Sequence, residues 1–135
     1  ASLSLVFALG PTTVLFGKHT DKLEADRSKG VNTLPVIIGE RAARNSVLAM
    51  LAAQYLLTIA LVVAGKFGWP LLLVLLGLPV LRQILAAFGS PKPASAPDDY
   101  PEGIWPLWFS AFAFRHTRRF TSLFLLGAVL DTVMA

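Results

Sequence analysis

Apolar residues in this chain come in long blocks separated by short charged passages. Ser46–Ala64 runs nineteen residues without a formal charge, and Phe67–Leu81 stays apolar up to Arg82. Each approaches the roughly 20 residues a helix needs to cross a bilayer. Leu3–Phe16 and Phe120–Met134 are shorter apolar runs, the first opening the chain and the second preceded by further apolar sequence. The pattern predicts an all-α, polytopic transmembrane helical bundle with about four membrane helices. No strand alternation or internal repeat interrupts it. The opening has no initiator Met, no basic leader and no small-residue cleavage site, so it is expected to be the tail of a helix that starts upstream.

Punctuation residues divide the blocks. Gly10-Pro11 is expected to kink the first helix and Gly17 to loosen it, so the sequence places a charged loop over residues 17–45. Within that loop TLPVII, residues 33–38, is apolar but too short to span. Pro70 stands where a helix start tolerates proline, and Pro79 should bend the returning helix near mid-depth. SPKPASAPDDYPEG carries four prolines and reads as a loop over 90–103. Ile104–Met134 would be 31 residues if helical throughout, with three arginines at its centre. It is therefore divided into an aromatic interfacial segment over 104–114, a water boundary at RHTRR (115–119) and a last span over 120–134.

Composition supports the membrane reading. Only 15% of residues are Asp, Glu, Lys or Arg and the mean hydropathy is +0.64, whereas a soluble domain is near a quarter charged. The net charge of +4 is unevenly placed. Six bases (Lys18, Lys22, Arg27, Lys29, Arg41, Arg44) lie in the first charged passage, while the turn at 65–70 holds only Lys66. This asymmetry predicts a multi-pass integral membrane protein with the first passage on the cytoplasmic side. Topology accounts for these bases, so no nucleic-acid partner is expected. The absence of cysteine excludes disulfides, thiolate metal sites and Cys nucleophiles.

The first passage gathers ten charges between Lys18 and Arg44. One charge at the bilayer centre costs roughly 2.5–3.5 kcal/mol, so this block belongs in water or a polar cavity. Asp21, Glu24 and Asp26 form a carboxylate set of the kind that holds Mg²⁺ together with substrate phosphates. Lys22, Arg27 and Lys29 alternate with them and are candidate diphosphate contacts.

DKLEADRSKGVNTLPVIIGE, Asp21–Glu40, resembles the second aspartate-rich motif of the UbiA superfamily of intramembrane prenyltransferases, commonly D-x-E-x-D-R-x-x-G-x-x-T-L-P-V followed by Gly. Glu24, Asp26, Arg27, Gly30, Thr33, Leu34, Pro35, Val36 and Gly39 stand in register. The closing stretch PEGIWPLWFSAFAFRHTRRFTSLFLLGAVLD resembles the C-terminal end of bacterial members more weakly. The resemblance implies that residues 1–135 are the C-terminal part of one UbiA-like domain. It also implies Mg²⁺-dependent transfer of an isoprenyl chain from its diphosphate to a hydrophobic, often aromatic, acceptor in isoprenoid biosynthesis. The first aspartate-rich motif has no counterpart here, so these residues alone are expected to be inactive.

One position departs from the motif. Lys22 stands where the family has its first Asp, and the acid lies one residue earlier at Asp21. On a regular helix Asp21 and Asp26 differ by about 140° and do not converge, whereas Asp21 and Glu24 share a face. Either the segment is distorted, which the reading favours, or Asp21 and Glu24 form the metal pair and Asp26 reaches in from the side.

Of the remaining polar residues, His19 either orients a carboxylate or phosphate or is an interfacial histidine without a role. Arg115, His116, Arg118 and Arg119 read as topology anchors, Asp131 as interfacial, and Gln54 and Tyr55 as facing the bundle interior. Trp105, Trp108, Phe109 and Phe112 read as belt aromatics or as the wall of a substrate pocket. Two rivals stand beside the transferase reading. A CDP-alcohol phosphotransferase expects an acidic D-G start and an A-R pair ahead of G-x-x-x-D-x-x-x-D, a pattern this chain lacks. A transporter or assembly subunit would use the charged loop as a docking surface.

Overall fold

The computed structural model describes residues 1–135. Helix α1 (Ser2–Asp21) leads through two short helices, α2 (Leu23–Ser28) and α3 (Leu34–Ile38), into α4 (Glu40–Val63). The chain then winds as a 3-10 helix over Trp69–Gly77, continues as α5 (Leu78–Phe88) and closes with α6 (Phe109–Met134). The fold is all-helical. α4 and the segment Trp69–Phe88 are each long and apolar enough to cross a membrane.

Two complementary stripes build the bundle. The buried positions of α1 are Val6, Gly10, Thr13, Gly17 and Thr20, spaced four, three, four and three apart. Those of α6 include Phe109, Ala113, His116, Phe120, Leu123 and Gly127, in the same rhythm. A seam repeating every 3.5 residues keeps two helices facing each other, and small residues on one side let the backbones approach closely. The helices run antiparallel. A side chain at Gly17 would place its first carbon 2.8 Å from the Ser110 backbone nitrogen, and one at Gly10 would sit 2.9 Å from the Thr117 methyl. At the far end of α6, Gly127 presses on the backbone of Pro70 and Leu71, and the Asp131 carboxylate accepts the Gly68 N–H at 2.9 Å.

Two apolar clusters fill the interior. Val47, Leu51, Ile84, Phe88 and Phe109 pack in the half nearer the charged passage, and Val6, Leu71, Val74, Phe120 and Phe124 in the other. Between them lies a polar layer. Tyr55 Oη and His116 Nε2 are 2.9 Å apart, and the Gln54 amide donates to the Val6 carbonyl at 3.2 Å. The expectation that Gln54 and Tyr55 face inward holds, whereas His116 is no surface anchor, being fully buried. Only 29 of 135 residues are buried, and large apolar side chains such as Phe7, Leu15, Leu56, Leu76 and Phe114 stand exposed. In water such coverage would be an aggregation hazard; against lipid tails it has no such cost.

Element boundaries differ from the expected ones in three places. α1 passes through Gly10-Pro11 and Gly17 without ending, and Thr12, Thr13 and Thr20 return their hydroxyls to helix carbonyls, a common device where helices run in lipid. The break falls at Lys22, with φ −103° and ψ 10°. α4 begins at Glu40, earlier than its apolar run, because Gly39 at φ 86° supplies the left-handed turn out of α3. The division of 104–134 is overturned. α6 is one helix of 26 residues, about 39 Å at ordinary helical rise, and the irregular segment before it extends from Gly89 to Trp108. Arg115, Arg118 and Arg119 are exposed, on the face turned away from the buried stripe, so they leave the helix intact. Pro79, where a bend was expected, stands in the first turn of α5, just after the winding changes from 3-10 to α at Gly77–Leu78.

Candidate functional site

The charged passage folds across one end of the bundle as a helix end, a corner and a second short helix. The corner decides where each acid points. At the end of α1 the Asp21 side chain turns inward and is 1% exposed. Its carboxylate accepts the backbone N–H groups of Phe109 and Ser110 at 2.8 and 3.0 Å and the Ser110 hydroxyl at 2.7 Å. Phe109 and Ser110 are the first residues of α6. A helix N-terminus has unpaired N–H donors and partial positive charge, so Asp21 caps α6 from another helix. Lys92 Nζ lies 3.9 Å from the same carboxylate.

Beyond Lys22 the chain turns, and α2 carries Glu24, Asp26 and Arg27 in a different frame. The Glu24 side chain is 82% exposed and meets only Arg27, at 2.9 Å, an exposed pair worth little to stability. Asp26 is buried. Its Oδ2 lies 3.8 Å from His19 Nδ1, and that nitrogen is buried without a hydrogen-bond partner. Lys22, Arg27 and Lys29 are exposed around this corner.

Asp21, Glu24 and Asp26 are therefore not brought together, and no three acid or imidazole side chains converge anywhere in the chain. The distortion expected at Gly17 lies at Lys22 instead, and it sends Asp21 to α6 while Asp26 turns to His19. A metal ion would find different partners at these acids. The oxygens of Asp21 are engaged by three donors, whereas Asp26 beside an unpartnered imidazole nitrogen offers free carboxylate; Glu24, two residues earlier and about 160° round α2, points to the open side. Mg²⁺ commonly takes one or two protein carboxylates and completes its shell with phosphate oxygens and water, and Asp26 as a single carboxylate fits that pattern.

Glycine and proline in the passage have structural reasons. Gly30 at φ 70° and Gly39 at φ 86° bracket α3, and Pro35 in its first turn is buried. Arg44 bonds the Phe88 carbonyl at 3.1 Å, which closes the C-terminal end of α5 rather than serving topology alone.

The roof over this end is the segment before α6. Tyr100, Trp105, Trp108 and Phe112 stack edge-on or tilted at 5.0–6.3 Å, Lys92 sits 4.9 Å over the Trp105 ring, and the Tyr100 hydroxyl donates to the Leu107 carbonyl. Burial raises the Tyr100 phenol above its ordinary range, and the Asp21 charge raises it further. Of the aromatics singled out from sequence, Trp108 and Phe112 line a cavity of about 790 Å³ beside the roof, whereas Phe109 is buried against Phe88 with ring centres 4.8 Å apart. Lys92 escaped the sequence reading because its partner Asp21 lies 71 residues away and its proline-rich surroundings signal only a loop.

Comparison with known proteins agrees with this architecture. The profile of the UbiA prenyltransferase family matches residues 1–97. A digeranylgeranylglyceryl phosphate synthase of Natronomonas pharaonis is 35% identical over 97 residues, covering 64% of this chain and 32% of that protein. The chain thus spans about a third of the length of the curated relative it matches. No solved structure matches it.

Proposed function

Since the chain belongs to the UbiA prenyltransferase family, we propose that it forms part of an intramembrane prenyltransferase. That enzyme moves an isoprenyl chain from its diphosphate to a hydrophobic, often aromatic, acceptor. The observation that carries the site assignment is the corner at Lys22, which leaves Asp26 beside the unpartnered His19 nitrogen and Glu24 and Arg27 on the open side of α2.

In the proposed reaction the bond between C1 of the allylic chain and its diphosphate oxygen breaks, and its electron pair leaves with pyrophosphate. The acceptor nucleophile forms the new bond to C1 and releases a proton to solvent. When bound, Mg²⁺ supplies charge neutralisation to the departing pyrophosphate. Asp26 would hold that ion, with phosphate oxygens and water completing its shell. Arg27, freed from Glu24, and Lys22 and Lys29 donate to diphosphate oxygens, with Arg27 able to make two parallel bonds. His19, with its Nδ1 3.8 Å from the Asp26 carboxylate, would orient that group once a bond between them forms. Asp21 acts at a distance, as the clamp that holds α6 and the roof against the end of α1. Apolar side chains around the mouth keep water from the cationic carbon. The charged end of the bundle faces the cytoplasm in this reading, and turnover requires the facing acids of the family's other motif, so residues 1–135 alone are inactive.

Replacement of Asp26 by Asn in the whole protein tests the proposal. Loss of Mg²⁺-dependent product with unchanged folding is the expected result. Unchanged turnover would reject the assignment.

A further inference from the structure

Two helices agree on where the middle of the bundle lies. Tyr55 is the centre of the uncharged run Ser46–Ala64, nine residues from either end, and its ring packs on His116 and Phe120 with centres 5.7 and 5.1 Å apart. Phe120 in turn is midway along α6, eleven residues from Phe109 at the charged end and eleven from Asp131, which holds Gly68 at the other. Arg118 and Arg119 adjoin Phe120, within about 3 Å of this level at helical rise, and Arg115 stands about 8 Å nearer the charged end.

All three arginines are exposed. Their side chains bond to nothing in the chain, since the guanidiniums engaged are those of Arg27 and Arg44. A topology anchor belongs at the headgroup layer, about 15 Å from the middle of the hydrocarbon core. Snorkelling serves cations near helix ends and not at mid-depth. Arg118 and Arg119 therefore do not face lipid tails. Cations at this depth are met by acids, by backbone carbonyls or by a water-filled cavity.

The rest of the face favours one of these. Arg115, Arg118, Ser122, Leu125 and Val129 are all exposed and lie three, four, three and four apart, the rhythm in which the opposite face of α6 packs on α1. The stripe is polar as far as Ser122 and apolar beyond it, along most of the helix, which suits another helix lying against it better than an ion held at one spot. The chain has no carboxylate of its own for this level. Seven of its eight acids lie in the charged passage or the segment before α6, and Asp131 is at the far end on Gly68. A second copy related by a two-fold axis would set arginines against arginines. The matched relative, by contrast, extends well beyond the 32% of its length that this chain covers.

We propose that the outer face of α6 is an intramembrane interface, occupied by a membrane helix of the same polypeptide outside residues 1–135. That helix brings carboxylate to Arg118 and Arg119 at mid-depth and apolar side chains to Leu125 and Val129. A guanidinium can take each carboxylate through two parallel hydrogen bonds. The inference stands on the membrane setting of α6 and is independent of Asp26 and of the reaction.

The test places the photocrosslinking residue benzoylphenylalanine at Ser122, and separately at Leu125, in the whole protein in phosphatidylcholine nanodiscs, and identifies the joined peptides by mass spectrometry. Crosslinks within one polypeptide, to a single apolar segment outside residues 1–135 that carries Asp or Glu, are expected. Arg118→Gln with Arg119→Gln should lower their yield about tenfold, because a buried carboxylate left without its cation is strongly unfavourable, while Arg118→Lys with Arg119→Lys should hold it within about twofold. Arg118→Glu should lose the crosslink, and replacing the joined acid by Arg in that variant should recover it, which separates pairing from misfolding. Joining to lipid alone, to a second copy or to another protein overturns the proposal. So does an unchanged yield in the paired Gln variant, or a crosslink that forms only when a thiolo analogue of farnesyl diphosphate is added, the mark of an anion site.

Discussion

The last turn of α1 and the short helix α2 adjoin in one charged passage, yet they use their acids in opposite ways. Asp21 is 1% exposed and engaged by three donors from α6, while five residues later Asp26 faces a histidine nitrogen with no partner. The difference comes from one backbone corner. Because α1 ends at Lys22 and α2 starts afresh, the two carboxylates leave the chain in unrelated directions. Acids that adjoin in sequence can thus divide between fastening the fold and serving chemistry. The structural one is recognised by where its oxygens already bond.

The largest expected effect is on the open side of this comparison. Asp26→Asn should lower turnover by about 10²–10³, the loss typical when one preorganised electrostatic group is removed, with the thermal midpoint unmoved; a comparable loss of stability would place Asp26 with the fasteners. The seam that carries Asp21 comes next. Gly17→Leu sets side-chain atoms into the Ser110 backbone, 2.8 Å from where its first carbon must lie, and should cost on the order of 3 kcal/mol. Size-exclusion profiles and thermal melts in detergent would register it.

Asp21 itself sharpens the contrast. Asp21→Ala leaves two N–H groups at the start of α6 without their acceptor and should cost about 2 kcal/mol, the upper range for a lost N-cap, whereas Asn caps nearly as well as Asp and should cost under about 1 kcal/mol. A metal ligand would behave otherwise, since the neutral amide would lose activity almost as fully as alanine. The smallest effect is on the roof. The Tyr100 phenol is raised by burial and then by Asp21, so its neutral form is favoured when folded. That contribution is fully present below pH 10 and fades as pH rises through the elevated value. A Tyr100→Phe variant should remove this alkaline loosening, measured as tryptophan fluorescence against pH.

Much of the fold was legible from apolar runs, but the boundaries failed where linear hydropathy was read in place of period. RHTRR looked like a water boundary because three arginines fall within five residues. Counted at helical spacing, Phe109, Ala113, His116, Phe120, Leu123 and Gly127 form an unbroken stripe across it, and arginine is a good helix former. His116 belonged to that stripe all along. Asp21 was beyond reach for another reason, since its partners lie 88 and 89 residues away and a helix N-terminus has no residue type of its own to announce it. Gly30 and Gly39 were placed by the family motif, and their backbone angles supply the physical reason.

The central claim is that the reactive end is organised by Asp26 and not by Asp21. Binding of Mn²⁺, followed by electron paramagnetic resonance in the whole protein loaded with a thiolo analogue of an allylic diphosphate, tests it most directly. The account predicts that Asp26→Asn abolishes the bound-ion signal while Asp21→Asn retains it. Loss of the signal in Asp21→Asn with retention in Asp26→Asn would contradict it.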